Sequence, residues 1–265
     1  MPQPRRFAFR ADPFGLHQAG RLYIFVEHFD YRSRKGMIEA LVYDDQYNLV
    51  ECGTALTRPW HLSYPYVFRA DGDIWMLPEA RQSGQLTLYR ARELPWKWEE
   101  AATIPIDPGA VDATPVFHDG RWWLFYGRGG RNAPGLMDLN IAYSDQLTGP
   151  WTPHPANPVR QGMSSRPAGT PQVDGDGRID LPLQDSTTTY GGSVRRLSIS
   201  RLDPRHFEAE EFDWLAPTPA LAPYVDGLHT LSIAGDVALI DCKRIDRSLG
   251  GAIAWHRGRF ARRFS

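Results

Sequence analysis

VDATPVFHDGRWWLFYG, Val111 to Gly127, is the stretch whose reading decides the fold. An apolar segment enters a His-Asp-Gly turn and leaves it as Trp122-Trp123-Leu124-Phe125-Tyr126. Aromatic and β-branched residues at strand length on either side of Asp-Gly read as a β-hairpin. The second arm does not alternate polar with apolar residues, so its strand must be covered on both faces. An acid, Asp112, stands at the head of the first arm.

The same text recurs. RADPFGLHQAGRLYIFVEH from Arg10 and LSYPYVFRADGDIWMLPEA from Leu62 are close copies. RPAGTPQVDGDGRIDLPLQD from Arg166 and VDGLHTLSIAGDVALIDCK from Val225 are looser ones. The first three copies begin about fifty residues apart, a period typical of propeller blades. Seven residues beyond the turn glycines Gly20, Gly72, Gly120, Gly177 and Gly235 stand Glu27, Glu79, Gly127, Gln184 and Cys242. Further strand candidates, such as MIEALVYDD, QLTLYRAREL, LNIAYSD and VRRLSISRLDP, lie between the hairpins. Two inner and two outer strands make a blade. The expectation is an all-β, five-bladed β-propeller of four-stranded antiparallel blades, one domain over 1–265. A β-sandwich would not repeat one hairpin at this spacing, and prolines interrupt almost every window that a helix would need.

Composition fits. Of 265 residues, 42% are hydrophobic, enough for a substantial core, and 24 glycines with 22 prolines favour turns over long helices. The formal net charge of -1 gives no general attraction to nucleic acid or anionic membranes. No stretch reaches the length of a membrane span, and the N-terminal text has no apolar run suited to a signal peptide, so a cytoplasmic setting is expected. Cys52 and Cys242 lie in no metal-ligand spacing and are expected as buried thiols. The eight histidines show no paired spacing, and no nucleotide-binding glycine motif or serine elbow occurs. No cofactor or metal is expected. GRGGRNAPG, 127–135, reads as a loop rimming the pocket, DSTTTYGGS, 185–193, as a loop of the fourth blade, and RGRFARRFS, 257–265, as a solvated tail.

In a propeller the innermost strands start at one end of the axis, so residues there converge from all blades. Asp12, Tyr64, Asp112, Arg166 and the Asp226-to-His229 segment hold those places. Taken singly, Asp12 before Pro13 is a turn former and Asp112 a strand-edge cap; sharing one repeat position makes both site candidates. Paired carboxylates across a pocket are the groups needed for glycosidic bond cleavage, one as proton donor and one as base or nucleophile.

These segments resemble the five-bladed propeller glycosidases, glycoside hydrolase family 43 and its relatives in families 32, 62 and 68. ADPF at 11–14 resembles the blade-one motif, VDATPVFHDGRWWLFYG the blade-three motif and DGLHTLS at 226–232 the blade-five motif. The resemblance implies Asp12 as base, Asp112 as modulator of the acid and His229 as a ligand of the pocket floor. A closer resemblance is to the N-terminal propeller domain of plant glucosamine inositolphosphorylceramide transferases and its bacterial stand-alone relatives. HLSYPYVF, the LPE of 77–79, SRPAG at 165–169, the segment from Gln184 to Val194 and DGLHTLS carry it, in order along most of the chain.

One position departs from family 43. Where its general acid stands, this chain has Arg166. Arginine cannot give up a proton in that role, but it grips carboxylates and phosphates. Glu79, at the end of the second blade's second strand, replaces the acid in this reading, with Asp185 second and Glu27 third. Tyr64, Arg166, Asp185 and His229 are expected to bind substrate. The expected activity is hydrolysis of a small or anionic glycoside. Two rivals stand: a non-catalytic sugar-binding propeller serving a separate glycosyltransferase, and a propeller lyase or cyclase of a biosynthetic pathway.

Overall fold

The computed structural model describes residues 1, 2, 4, 7–129 and 137–245. The glycine-rich segment beyond Gly129 and the basic tail lie outside them. The first sheet holds β1 (Ala8–Gln18), β2 (Arg21–Asp30), β3 (Lys35–Tyr43) and β4 (Leu49–Leu56) in sequence order. The second holds β5 (Ser63–Ala70), β6 (Asp73–Glu79), β7 (Leu86–Glu93) and β8 (Lys97–Ile104). The third comprises β9 (Ala110–His118), β10 (Arg121–Gly129) and β11 (Met137–Ser144), with β12 (Thr152–Pro153) and β13 (Arg160–Gly162) both paired to β11. In the fourth, β14 (Arg166–Pro167) and β15 (Gln172–Val173) both pair with β16 (Ile179–Asp185), followed by β17 (Ser193–Leu202) and β18 (Phe207–Leu215). Last comes a hairpin of β19 (Gly227–Ala234) and β20 (Val237–Lys243).

The expectation of uniform four-stranded blades therefore holds for the first two sheets. In the third and fourth one strand is split in two: the outermost at the prolines around 153–158, the innermost by Pro167 and Pro171, which cannot donate to the ladder. The fifth sheet has two strands among the described residues.

The hairpin turns explain the repeat. Ala19-Gly20, Asp71-Gly72 and Asp119-Gly120 all have positive φ at both central positions, as the tight turn matching strand twist requires. Between each pair of consecutive sheets lies one apolar cluster, and Leu22, Ile24 and Val26 of β2 pack with Ala234, Val237 and Leu239 of the final hairpin. The sheets thus close into a ring, a β-propeller. The aromatic arm spans two clusters. Trp122, Leu124 and Tyr126 pack with Trp75, Leu77 and Leu88 of the second sheet, whereas Trp123 and Phe125 pack with Ile179, Leu181 and Leu183 of the fourth. Side chains alternate across the strand, and a sheet lies on each side, so every position is apolar.

The closure between fourth and fifth sheets is backbone on backbone. Gly169 forms a parallel bridge with Leu231, flanked by Leu231 N–H to Ala168 O at 2.8 Å and Thr170 N–H to Leu231 O at 3.1 Å. Gly169 has φ +143°, and a Cβ there would sit 1.6 Å from Leu231 O, so only glycine fits. Neither cysteine is buried: Cys52 is exposed and Cys242 half-exposed. Cys52 lies on the outer strand β4, which is covered on few sides.

A candidate active site at the hub

The innermost strands bulge at one shared place. The pairing of β1 with β2 breaks between Ala11 and Phe14, and that of β5 with β6 between Ser63 and Tyr66. It breaks between Phe125 and Gly127 opposite Asp112, and between Leu228 and Thr230 around His229. Asp12, Tyr64 and Asp112 take left-handed backbone angles, φ 50°, 44° and 50°. Aspartate tolerates that region better than tyrosine does. Such bulges re-aim side chains, and backbone strain of this kind concentrates at functional sites.

Each bulge is preceded by a ladder pair, Ala11–Glu27, Ser63–Glu79, Val111–Gly127 and Leu228–Cys242, and Arg166–Gln184 holds the matching place in the fourth sheet. Counting seven from the turn glycines therefore finds the same structural position in every sheet. Asp185 is one residue out of that register. It turns to Thr187, whose N–H it accepts at 2.9 Å, and to Arg195 at 3.7 Å, and these contacts hold its pKa below the ordinary value against the effect of burial. It does not join the hub as expected.

Asp12, His229 and Asp241 form one chain of contacts. His229 Nε2 lies 3.1 Å from Asp12 Oδ1, and Nδ1 lies 3.4 Å from Asp241 Oδ2. Thr230 Oγ1 donates to Asp12 Oδ1 at 2.6 Å, and the Asp12 N–H donates to Asp241 Oδ2 at 2.9 Å. Burial disfavours charge on the ring, yet Asp241 and Asp12 outweigh it and raise the His229 pKa to about 10. Burial likewise acts against the Asp12 carboxylate, but the His229 hydrogen bond and charge, with Thr230, bring it down to about 2. Asp12 is thus a buried carboxylate held ionised. The ligand atoms of Asp12, His229 and Asp241 lie within 4.8 Å of one another, a spacing a metal ion could use. With each ring nitrogen facing a carboxylate, His229 is an imidazolium with no lone pair to give; a metal would first have to displace its proton.

Arg166 and Asp112 form a second unit. Arg166 Nε donates to Asp112 Oδ2 and Nη2 to Asp112 Oδ1, the latter at 3.1 Å. Arg166 Nη1 also donates to Tyr190 Oη at 3.0 Å. Burial pushes the Asp112 carboxyl up to about 6, with Arg166 pulling down and the charges of Asp12 and Glu79 pushing up. The fork expected to grip an anionic substrate is thus spent on Asp112. The expected ligand Tyr64 is also committed internally. Its hydroxyl accepts from Gly169 N–H at 2.8 Å and meets Thr114 Oγ1 at 3.0 Å, and only 1% of the residue is exposed. It spans the axis as a structural tie.

Glu27 and Glu79 differ although both are buried at equivalent positions. Glu79 Oε2 accepts from Ser63 Oγ at 2.6 Å, and its Oε1 accepts from Arg81 N–H at 3.0 Å. Both oxygens are thus used as acceptors. Among the described residues, the ion-pair contact of Glu27 is His61, whose Nε2 lies 3.5 Å from Glu27 Oε1. His61 Nδ1 accepts the Gly36 N–H at 2.9 Å, so in the neutral ring Nε2 carries the hydrogen. Burial keeps His61 below its ordinary pKa. Burial, then the charges of Asp12 and Glu79, push the Glu27 pKa well above the ordinary carboxylate range. Among Asp12, Glu27 and Glu79, Glu27 is the carboxyl whose surroundings favour keeping its proton. The sequence ranks it third because the partners that set Glu27 and Glu79 apart come from distant segments.

Asp241, Thr230 and His61 went unnoticed in the sequence. Asp241 sits six residues from its turn glycine, and only the bulge at His229 brings it opposite Thr230.

The model for the N-terminal region of glucosamine inositolphosphorylceramide transferase 1 matches residues 3–219. The chain belongs to that family. Two relatives of that name are similar to it: one from Oryza sativa subsp. indica, 35% identical over 208 residues, and one from Arabidopsis thaliana, 36% identical over 207. These matches cover 76% and 77% of this chain but 27% of each relative. This member of the glucosamine inositolphosphorylceramide transferase N-terminal family thus spans about a quarter of the relatives' length. Its fold is similar to a family 117 glycoside hydrolase from Zobellia galactanivorans, TM-score 0.61 at 17% identity, covering 80% of this chain and 72% of that one. It is also similar to a glycosyl hydrolase from Bacteroides ovatus, TM-score 0.65 at 13% identity, covering 88% and 81%. The chain therefore shares the propeller fold of these glycoside hydrolases.

Proposed function

We propose that the chain is a glycoside hydrolase-like enzyme that acts on a small glycoside at the hub, and that its final hairpin is the inner half of a fifth blade. Asp12 serves as base or nucleophile and Glu27, in place of Glu79, as proton donor. The supporting observation is the contrast between the two carboxyls. Asp12 carries a low pKa under His229 and Thr230, while the pKa of Glu27, which pairs with the adjacent Ala11 across the ladder, is raised by burial and by the neighbouring charges. Environments that push two carboxyl pKa values apart are what acid–base cleavage requires. In this reading Asp112 does not tune the acid directly. It holds Arg166, which in turn orients Tyr190.

A second reading has one observation in its favour. Asp112 is closed off by Arg166, as befits a site that binds a sugar without cleaving it, in partnership with a separate glycosyltransferase. Turnover separates the two. Aryl glycosides and unactivated disaccharides are offered to wild type, Asp12→Asn and Glu27→Gln. Hydrolysis lost in Asp12→Asn, and lost in Glu27→Gln only for poor leaving groups, supports the enzyme. Saturable sugar binding without turnover on any glycoside supports the binding module.

A further inference from the structure

The cavity beside the hub has the opposite electrostatic character. It encloses about 590 Å³ between the first sheet and the β19–β20 hairpin. Its walls include the aromatic rings of Phe9, Tyr31, Tyr190 and Tyr224. Its charged lining is Arg10, His229, Lys243 and Arg244 against one carboxylate, Asp241. Asp241 is already matched by His229, and Arg10 by Glu39 at 2.6 Å. The remaining cations are Lys243 and Arg244. Lys243 Nζ donates to Tyr190 O and, at 3.4 Å, to Thr189 Oγ1, and lies in the field of the Asp226 and Asp241 carboxylates, while Arg244 lies over the Tyr224 ring, 5.9 Å from its centroid.

We propose that this cavity is a binding subsite for an anionic sugar, a sugar phosphate or a uronate, with Lys243 and Arg244 taking the anionic group and Tyr190 supporting the ring. It goes beyond the hub's reading and does not depend on whether the hub breaks bonds.

Three features carry it. First, two cations on adjacent residues at the edge of a concave wall form a site for one anion, since charge-assisted hydrogen bonds are stronger than neutral ones. Second, Tyr190 is 57% exposed at the end of an exposed stretch, 187–190, and the two glycines that follow bring the loop back against the final hairpin. A Cβ on Gly191 would meet the His229 Cβ at 2.7 Å, and one on Gly227 would meet Gly191 O at 2.2 Å. The loop can approach the hairpin this closely only because both positions are glycine. Third, the Tyr190 ring stands 5.8 Å from the His229 ring and 5.8 Å from the Arg166 guanidinium, at the boundary between hub and cavity. A sugar resting on it presents one end to the hub carboxyls and the other to Lys243 and Arg244. The anion selectivity that the sequence assigned to Arg166 thus moves to the last two cations of the hairpin.

The test is binding, not turnover. Glucose 1-phosphate, glucuronate, glucose and inorganic phosphate are titrated into the full chain and followed by calorimetry and by NMR shifts. At least one anionic sugar is expected to bind about tenfold or more tighter than glucose, a margin that shrinks with added salt. Arg244→Gln, at an exposed position, and Lys243→Gln remove most of that margin, and Lys243→Arg keeps it. Which anionic sugar wins identifies the anion. Asp12→Asn tests the hub separately, because it bears on turnover. The proposal is overturned if glucose binds as tightly as both anionic sugars, if inorganic phosphate binds as tightly as glucose 1-phosphate, or if neither charge removal changes the affinity.

Discussion

Arg166 holds Asp112 through two hydrogen bonds, Nε to Oδ2 and Nη2 to Oδ1, at the hub where sheets three and four meet, with Asp112 buried and the arginine side chain 20% exposed. Removing one partner strands a charge. Arg166→Met should lower stability by about 3–5 kcal/mol, as for other broken buried pairs. Adding Asp112→Asn should recover most of the loss. Denaturant melts of the single and double variants measure the coupling, and strictly additive losses would rule out the pair.

Glu27→Gln keeps the shape and removes the proton donor. Hydrolysis of glycosides with poor leaving groups should fall by about a hundredfold or more, within the range for general acid catalysis. Substrates with good leaving groups need little protonation and should be cleaved nearly as before. Equal losses for both classes would remove Glu27 from the acid's role.

The pH profile follows from the same pair. Asp12 ionises at about 2, so no acid limb is expected in the range where the fold survives. Activity should instead decline on the alkaline side as Glu27, whose pKa is raised, gives up its proton. With a good leaving group that decline should flatten. A conventional bell with an acid limb near pH 4 would contradict the assignment of Asp12.

Stability should carry the same signature. Glu27 and Asp112 have raised pKa values, so the folded state binds more protons than the unfolded chain above the ordinary carboxylate range, and stability falls as pH rises toward neutrality. Asp12 acts in the opposite sense: its lowered pKa contributes about 2 kcal/mol above its ordinary value of 3.8, lost as pH falls through about 2. His229 contributes below 6.5 and loses its contribution as pH rises through about 10. The melting temperature should therefore be higher at pH 5 than at pH 8. In Glu27→Gln this slope should become shallower; an unchanged slope would show that Glu27 titrates normally.

Gly169→Ala places a Cβ against Leu231 O, where the two last sheets join. A loss of about 3 kcal/mol is expected, the upper part of the range for overpacked sites. Thermal melts read it directly. Wild-type stability in this variant would mean the bridge is not closed in solution.

The repeat, the turn glycines and the aromatic arm of Trp122 to Tyr126 were legible as text because strand periodicity and turn chemistry are local. A strand with no polar position has to lie between two sheets, and that requirement alone points to a ring. The count from turn glycine to Glu27, Glu79 and Gln184 was legible for the same reason. What the residues at those places do was decided by partners from distant segments. Glu27 and Glu79 are alike in the sequence, yet Ser63 and Arg81 occupy one while His61 faces the other. Asp241 enters the hub only through a one-residue bulge in its partner strand. Arg166, a free cation on paper, reaches a carboxylate 54 residues away. Ionisation depends on burial and on charges within a few ångströms, and those distances exist only once the ring has closed.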